Sequence, residues 1–228
     1  MKLLIISDVH SNYEALKELD KIEQYDEVIF LGDAINYGPQ PVDTLQWIKD
    51  NVKHRIMGNH DNAVLYGADP KCSPKTLDIA LYTMENITNK LLDKSSKDIL
   101  NTFKIKTDIE LDGVRCLMMH GSPYDNLFEY TYGKEMERIA EDPNLKRFSW
   151  IMSGHTHFPA LYKARIINPG SCGMPRDGNP APSYVIMDLD RDTLEFHRFK
   201  YENEKVKKLL KELVKDNVIL EKLLSYYG

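Results

Sequence analysis

Long apolar runs are missing from this 228-residue chain, and so is any broad excess of basic charge. The opening run Leu3 to Ile6 is broken at once by Asp8 and His10, so it reads as neither a signal peptide nor a membrane span. A formal charge of -5 leaves room for local cationic sites but removes the general basic balance that draws a protein onto a polyanion. Cysteine is scarce as well. Cys72, Cys116 and Cys172 are odd in number and far apart, which argues against a disulfide scaffold and a Cys-paired structural zinc site and suits a reducing, cytoplasmic setting. Cys116 reads as a core thiol within a strand, and Cys172, in the turn Gly170 to Gly173, as a residue at the site rim. The chain is long enough for one large α/β domain or two small ones.

What the sequence does have is one pattern repeated five times: an apolar run ending in a turn that carries Asp, Asn or His. Leu3 to Ile6 leads into Asp8 and His10, Val28 to Leu31 into Gly32-Asp33, and Val52 to Met57 into Gly58-Asn59-His60-Asp61. Arg115 to Met119 leads into His120-Gly121, and Ser149 to Met152 into Gly154-His155-Thr156-His157. Short apolar runs of this kind read as buried strands, so five strand ends deliver polar side chains into loops that could share one sheet edge.

Between these loops, Ser11 and Glu14 form a capping box that predicts a helix from Asn12 through Ile22, and Pro39 reads as the first residue of a second helix. This gives a strand-helix-strand unit of the parallel, right-handed kind. Asn62 to Pro70 reads as loop, followed by a helical stretch from Ser73 to about Leu100; the insertion at about 62–100 either caps the site or packs on the sheet flank. Asp112-Gly113 predicts a hairpin between strands 103–111 and 114–119, Gly133 to Glu141 a helix, and 160–164, 165–168, 183–189 and 193–200 further strands. The expected fold class is α/β: two mixed sheets packed face to face with helices outside. A leucine-rich helix at about 204–227 must cover something, either the protein's own sheet or a partner subunit in a homo-oligomer.

Asp8, His10, Asp33, Asn59, His120, His155 and His157 are seven oxygen or imidazole donors with no thiolate among them. Seven are too many for one four-coordinate ion but suit two that share a carboxylate, with Asp33 as the natural bridge. The donor mixture favours divalent transition ions, manganese first, with iron, zinc, nickel or cobalt as alternatives. A water bridging two such cations loses a proton near neutral pH, and the ions can hold a phosphoryl group for in-line attack by the hydroxide. His60 is left over from the donor set and can face the leaving oxygen as general acid or charge stabiliser. Asp61 can orient that imidazole or cap a helix or turn.

Asp8-Val9-His10, Gly32-Asp33, Gly58-Asn59-His60-Asp61, His120-Gly121 and Gly154-His155-Thr156-His157 resemble, in order and spacing, the signature of the calcineurin-like metallophosphoesterase superfamily. The resemblance implies a single αββα sandwich and a dimetal phosphoesterase. It implies one metal on Asp8, His10, Asp33 and His157, a second on Asp33, Asn59, His120 and His155, and His60 as the leaving-group histidine. Where the family's serine/threonine phosphatases carry Asp and Arg in the second motif, this chain has Asn36 and Tyr37, which disfavours a protein phosphatase. The segment Gly32 to Pro39 and the turn Gly170 to Arg176 are similar to the small prokaryotic phosphodiesterase branch. Asn36 then orients His60 or touches phosphate, and Arg176 either adds a cation to the pocket rim or sits in a surface turn.

The function expected is hydrolysis of a phosphodiester or phosphomonoester in a small, nucleotide-like substrate, with Tyr37, Tyr66, Tyr124 and Phe128 as candidate surface for a base. The alternatives are bis-nucleoside polyphosphate hydrolysis, a protein phosphatase, and a non-catalytic scaffold that keeps the fold. Extended nucleic acid is disfavoured because no continuous basic and aromatic track is present.

Overall fold

The first strand explains the layering. A computed structural model of the chain describes residues 1–22 and 25–228, and in it β1 (Lys2–Ile6) is apolar on both faces because both are covered. Leu3 and Ile5 point into a core shared with Cys116, Met118, Met152 and Ile167, whereas Leu4 and Ile6 pack with Leu16, Leu19, Leu45 and Ile48. One face therefore meets a second sheet and the other meets helices.

The first sheet runs β10-β9-β1-β2-β3, with β2 at Glu27–Phe30, β3 at Val52–Arg55, β9 at Ser183–Asp188 and β10 at Thr193–Arg198. Its β1, β2 and β3 are parallel, and β9 and β10 add an antiparallel edge. The second sheet runs β4-β5-β6-β8-β7, comprising Lys106–Leu111, Val114–Met119, Trp150–Met152, Ile166–Pro169 and Pro159–Tyr162 in that order. Here β5, β6 and β8 are parallel between antiparallel edges. Asp112 and Gly113, both left-handed, close the β4-β5 hairpin. Outside the first sheet lie α1 (Tyr13–Leu19) and α2 (Pro41–Asn51). Further along the chain come α3 (Asn59–Tyr66), α4 (Leu77–Thr83) and a π-helical turn at Met84–Thr88. They are followed by α5 (Asn89–Leu91) and α6 (Lys94–Leu100), whose Ile99 and Leu100 also join that core. Outside the second sheet, α7 (Gly133–Glu141) places Met136 and Ile139 against Leu117, Met119 and Ile151. The fold is the expected α/β sandwich of two mixed sheets flanked by helices.

Five local expectations are corrected. Asn12, not Ser11, caps α1 by accepting from the Ala15 amide, because Ser11 is left-handed, and α1 ends at Leu19, short of Ile22. Pro41 rather than Pro39 opens the second helix. The segment expected as loop from Asn62 is helical through Tyr66: Asp61 accepts from the Gly58 amide at the start of α3, and Gly67 ends it in a left-handed conformation. The tail is two helices, α8 (Asn203–Leu213) and α9 (Asn217–Leu224), since Val214 is extended and Asp216 starts afresh by accepting from Val218 and Ile219.

The tail also covers something other than the sheet. Val206, Leu210, Ile219 and Leu223 pack against Ile79, Ala80 and Ile87 of the insertion and against Tyr37 and Met174 from the site loops. Leu210 has no exposure, so Leu210→Ala should cost about 2–5 kcal/mol. A urea melt should show a lower midpoint at unchanged slope.

Candidate metal centre

Five loops meet because backbone hydrogen bonds tie them edge to edge. Asp8 and His10 donate to the carbonyls of Gly32 and Asp33, Gly154 donates to that of His120, and Cys172 donates to that of Ser7. Asp8, His10, Ser11, Asp33, Asn36, Tyr37, His155 and His157 are all left-handed, eight of the thirteen such non-glycine residues among the described residues. Conformations of this kind are strained and concentrate at functional sites. Gly58 and Gly173 allow the close approach: a Cβ at the first would run into Asp33 and at the second into the Val9 carbonyl.

The donors form two groups, Asp8 with His10 and His157, and Asp33 with His120 and His155; within each, the candidate ligand atoms lie within 4.8 Å of one another. Asp33 joins them, its Oδ2 standing 3.6 Å from His10 Nε2 and 3.3 Å from His120 Nε2. Asn59 donates its amide to the Pro70 carbonyl and so turns its oxygen inward, 3.1 Å from His120 Nε2. All seven expected donors are buried and brought together.

The histidines are aimed from behind. Nδ1 of His10, His120 and His157 meets the carbonyls of Ile35, Leu31 and Met174 at 3.2, 2.8 and 2.6 Å, and Nε2 of His155 meets that of Phe128 at 3.2 Å. A carbonyl accepts only, so each ring places an N–H there; His10, His155 and His157 offer the other nitrogen as a lone pair, and His120 does so once a cation displaces its second proton. His10 and His157 consequently face each other, Nε2 to Nε2, at 3.2 Å, and Asp8 Oδ1 beside them is buried without a hydrogen-bond partner among the described residues. Converging lone pairs and an orphaned carboxylate oxygen are what a cation would satisfy, so the residues present fit divalent metal ions at two sites.

Charge is distributed unevenly. Burial lowers His10, His155 and His157 well below the usual imidazole range. Burial also opposes charge on His120, but Asp33 and Asp8 outweigh it and raise this group to about 9. Asp33 is likewise opposed by burial, yet His120 and His60 hold it well below the usual carboxylate range. His60 is lowered to about 4 by burial, with Arg176 and His120 adding to the effect against the pull of Asp33.

Around this centre the expected site residues divide. His60 lies beside it, its ring 5.2 Å from that of His10 and its Nδ1 3.0 Å from Asn36 Nδ2. Asp61 does not orient His60: its carboxylate accepts from the backbone amides of Asp33, Ala34, Ile35 and Gly58 at 2.9–3.2 Å and holds two metal loops in register. Tyr37 is fully buried with its ring 4.8 Å from both His10 and His60, so it walls the histidines and offers no open face to a base. Tyr124 is turned away, its hydroxyl donating to Asp142 and its ring under Arg138 near α7. Tyr66 projects into solvent, and Phe128 lies under Lys71. Cys172 is wholly buried in the core under α1 and α2, not at the rim. Arg176 is no surface turn residue: its guanidinium lies 5.6 Å from the Tyr37 ring, with Nε and Nη2 out of solvent and unpartnered among the described residues. Missed from the sequence is Tyr130, stacked on His155 at 3.9 Å and followed by Tyr132 and Phe158 in an aromatic series running outward. The aromatic density of 124–132 was visible, but which ring would meet His155 was not.

A family model described as the calcineurin-like phosphoesterase superfamily domain matches residues 1–192. The chain belongs to this superfamily. Among curated members, the Escherichia coli phosphodiesterase YfcE is 26% identical over 199 residues, covering 83% of this chain and 89% of its own. An uncharacterised protein of Methanocaldococcus jannaschii is 27% identical, with 95% and 93% covered. The crystal structure of a metallophosphoesterase from Sphaerobacter thermophilus superposes over the whole of both chains with a TM-score of 0.80 at 26% identity. The fold and its two His/Asp cation sites therefore belong to metal-dependent phosphoesterases, of the small prokaryotic kind.

Two measurements check this description. Asp61→Ala strands four amides, each worth roughly 1–3 kcal/mol when left unsatisfied, and should lower the urea midpoint more than Leu210→Ala does. Manganese at about 100 times its dissociation constant should stabilise the folded chain by about 2.7 kcal/mol per site, seen as a rise in melting temperature that chelator reverses.

Proposed function

We propose that this protein is a cytoplasmic dimetal phosphoesterase that hydrolyses a phosphodiester or phosphomonoester bond in a small, nucleotide-like substrate. The observation that carries the reading is the pair of abutting donor sets joined by Asp33, with imidazole lone pairs and an unpartnered Asp8 oxygen converging on one buried space. Asp8, His10, Asp33 and His157 would hold one cation and Asp33, Asn59, His120 and His155 the other, with manganese the first candidate. Such a pair supplies an acidified water and neutralises phosphoryl charge.

The chain's own residues supply the rest. Arg176 offers two N–H groups, unpartnered among the described residues, beside Tyr37, a fork suited to phosphoryl oxygens. Tyr130, Tyr132 and Phe158 offer rings for a base or aryl group, in place of Tyr37 and Tyr124. His60 stands where it can meet charge on the substrate.

The test strips the protein with chelator, restores single divalent ions, and assays bis-p-nitrophenyl phosphate beside p-nitrophenyl phosphate. Manganese should restore turnover, Asp33→Asn should lower kcat by about 10²–10³ or more, and Arg176→Ala should raise KM by roughly tenfold or more, the worth of one charged hydrogen bond. If no ion restores turnover of either ester, the scaffold reading replaces this one.

A further inference from the structure

A buried hydrogen-bond chain runs from the insertion to His60. Asn36 Nδ2 lies 3.1 Å from the Ala80 carbonyl oxygen in α4 and 3.0 Å from His60 Nδ1. A carbonyl oxygen only accepts, so the atom facing it is the amide nitrogen; Asn36 Oδ1 is left facing the hydroxyls of Thr83 at 2.8 Å and of Thr88 in the π-helical turn at 3.5 Å, the first of which shares its single proton with the Ile79 carbonyl 2.7 Å away. One amide proton goes to Ala80 and the other points at His60. An amide nitrogen has no lone pair to give, so His60 Nδ1 must accept, and the ring proton sits on Nε2. Every member of the chain is buried, so water does not compete for these bonds.

We propose that Asn36, held by α4, fixes His60 as an Nε2–H donor that binds the leaving oxygen without giving up its proton. The site thereby selects substrates whose leaving group departs as a stable anion, phosphoanhydrides ahead of alkyl phosphate esters. This rests on the phosphoesterase reading above. A neutral imidazole that surrenders Nε2–H becomes an anion unless Nδ1 carries a proton, and the Asn36 amide bars one there. In the balanced step, water forms the new P–O bond and loses one proton to solvent. The bond to the leaving oxygen breaks with its electron pair staying on that oxygen, which keeps a hydrogen bond from His60. An aspartate at position 36 would instead accept from Nδ1–H and support an imidazolium able to protonate an alkoxide. Its carboxylate would also meet the Ala80 carbonyl lone pair to lone pair, which is why the insertion requires the amide.

Two measurements decide it. Long-range imidazole ¹⁵N correlation spectra of the metal-free protein should show His60 protonated at Nε2 and bare at Nδ1; protonation at Nδ1 overturns the proposal without reference to activity. With manganese restored, turnover of phosphodiesters graded from p-nitrophenyl through phenyl to methyl leaving groups should fall steeply in the wild type. Asn36→Asp should narrow that fall by about 10², the lower range for a working general acid. A flat wild-type series, or an unchanged gap in Asn36→Asp, sinks the leaving-group assignment, and should that variant fail to fold, the wild-type spectrum and series still decide. Inactivity toward every ester would overturn the phosphoesterase reading and the leaving-group selection with it, leaving the His60 tautomer to stand or fall on the spectra.

Discussion

A neutral imidazole carries one N–H and one lone pair, and in this protein backbone carbonyls take one N–H from each of four histidines from behind, so that the opposite nitrogen of each faces the donor space. The carbonyls of Leu31, Ile35, Phe128 and Met174 belong to different loops, so the aim of the lone pairs is a property of the loop assembly and of no single motif. Because His10 and His157 then confront each other with no hydrogen between them, the arrangement is unfavourable until a cation lies among the donors. The two-sheet frame, the left-handed ligands and the buried Asp61 all serve to hold that confrontation in place.

Asp61 shows how the assembly is kept in register. A single carboxylate at the start of α3 gathers amides from the Asp33 loop and from Gly58, so the turns that present Asp33 and Asn59 cannot shift independently. Left-handed residues need such over-determination to persist. The consequence is a centre that is pre-shaped for its ions.

Much of this was legible because the relevant signals are local. Apolar runs ending in Asp8, Asp33, Asn59, His120 and His155 mark strand ends, and parallel strands place their ends on one side, so both the α/β sandwich and the gathering of donors follow from pattern alone. What escaped depends on contacts distant in sequence. Asn12 displaces Ser11 as a cap because the His10–Ser11 backbone is bent to meet the second loop, and the C-terminal helices cover Tyr37 and the insertion, a pairing no periodicity encodes. Tyr124 and Tyr130 are interchangeable as aromatic residues in one loop, and only the path of that loop puts the second on His155 and the first on Asp142. The surroundings of Asn36 were hidden for a similar reason: the Ala80 carbonyl that its amide nitrogen faces lies 44 residues away.

The loop between β5 and α7 supplies both the Phe128 carbonyl that steadies His155 and the Tyr130 ring that covers it. Any displacement wide enough to lift that ring and admit a bulky molecule would also loosen the imidazole beneath. Breadth of entry and grip on the second ion are thereby mechanically linked, so a homologue with a shorter or stiffer segment here would differ in both at once.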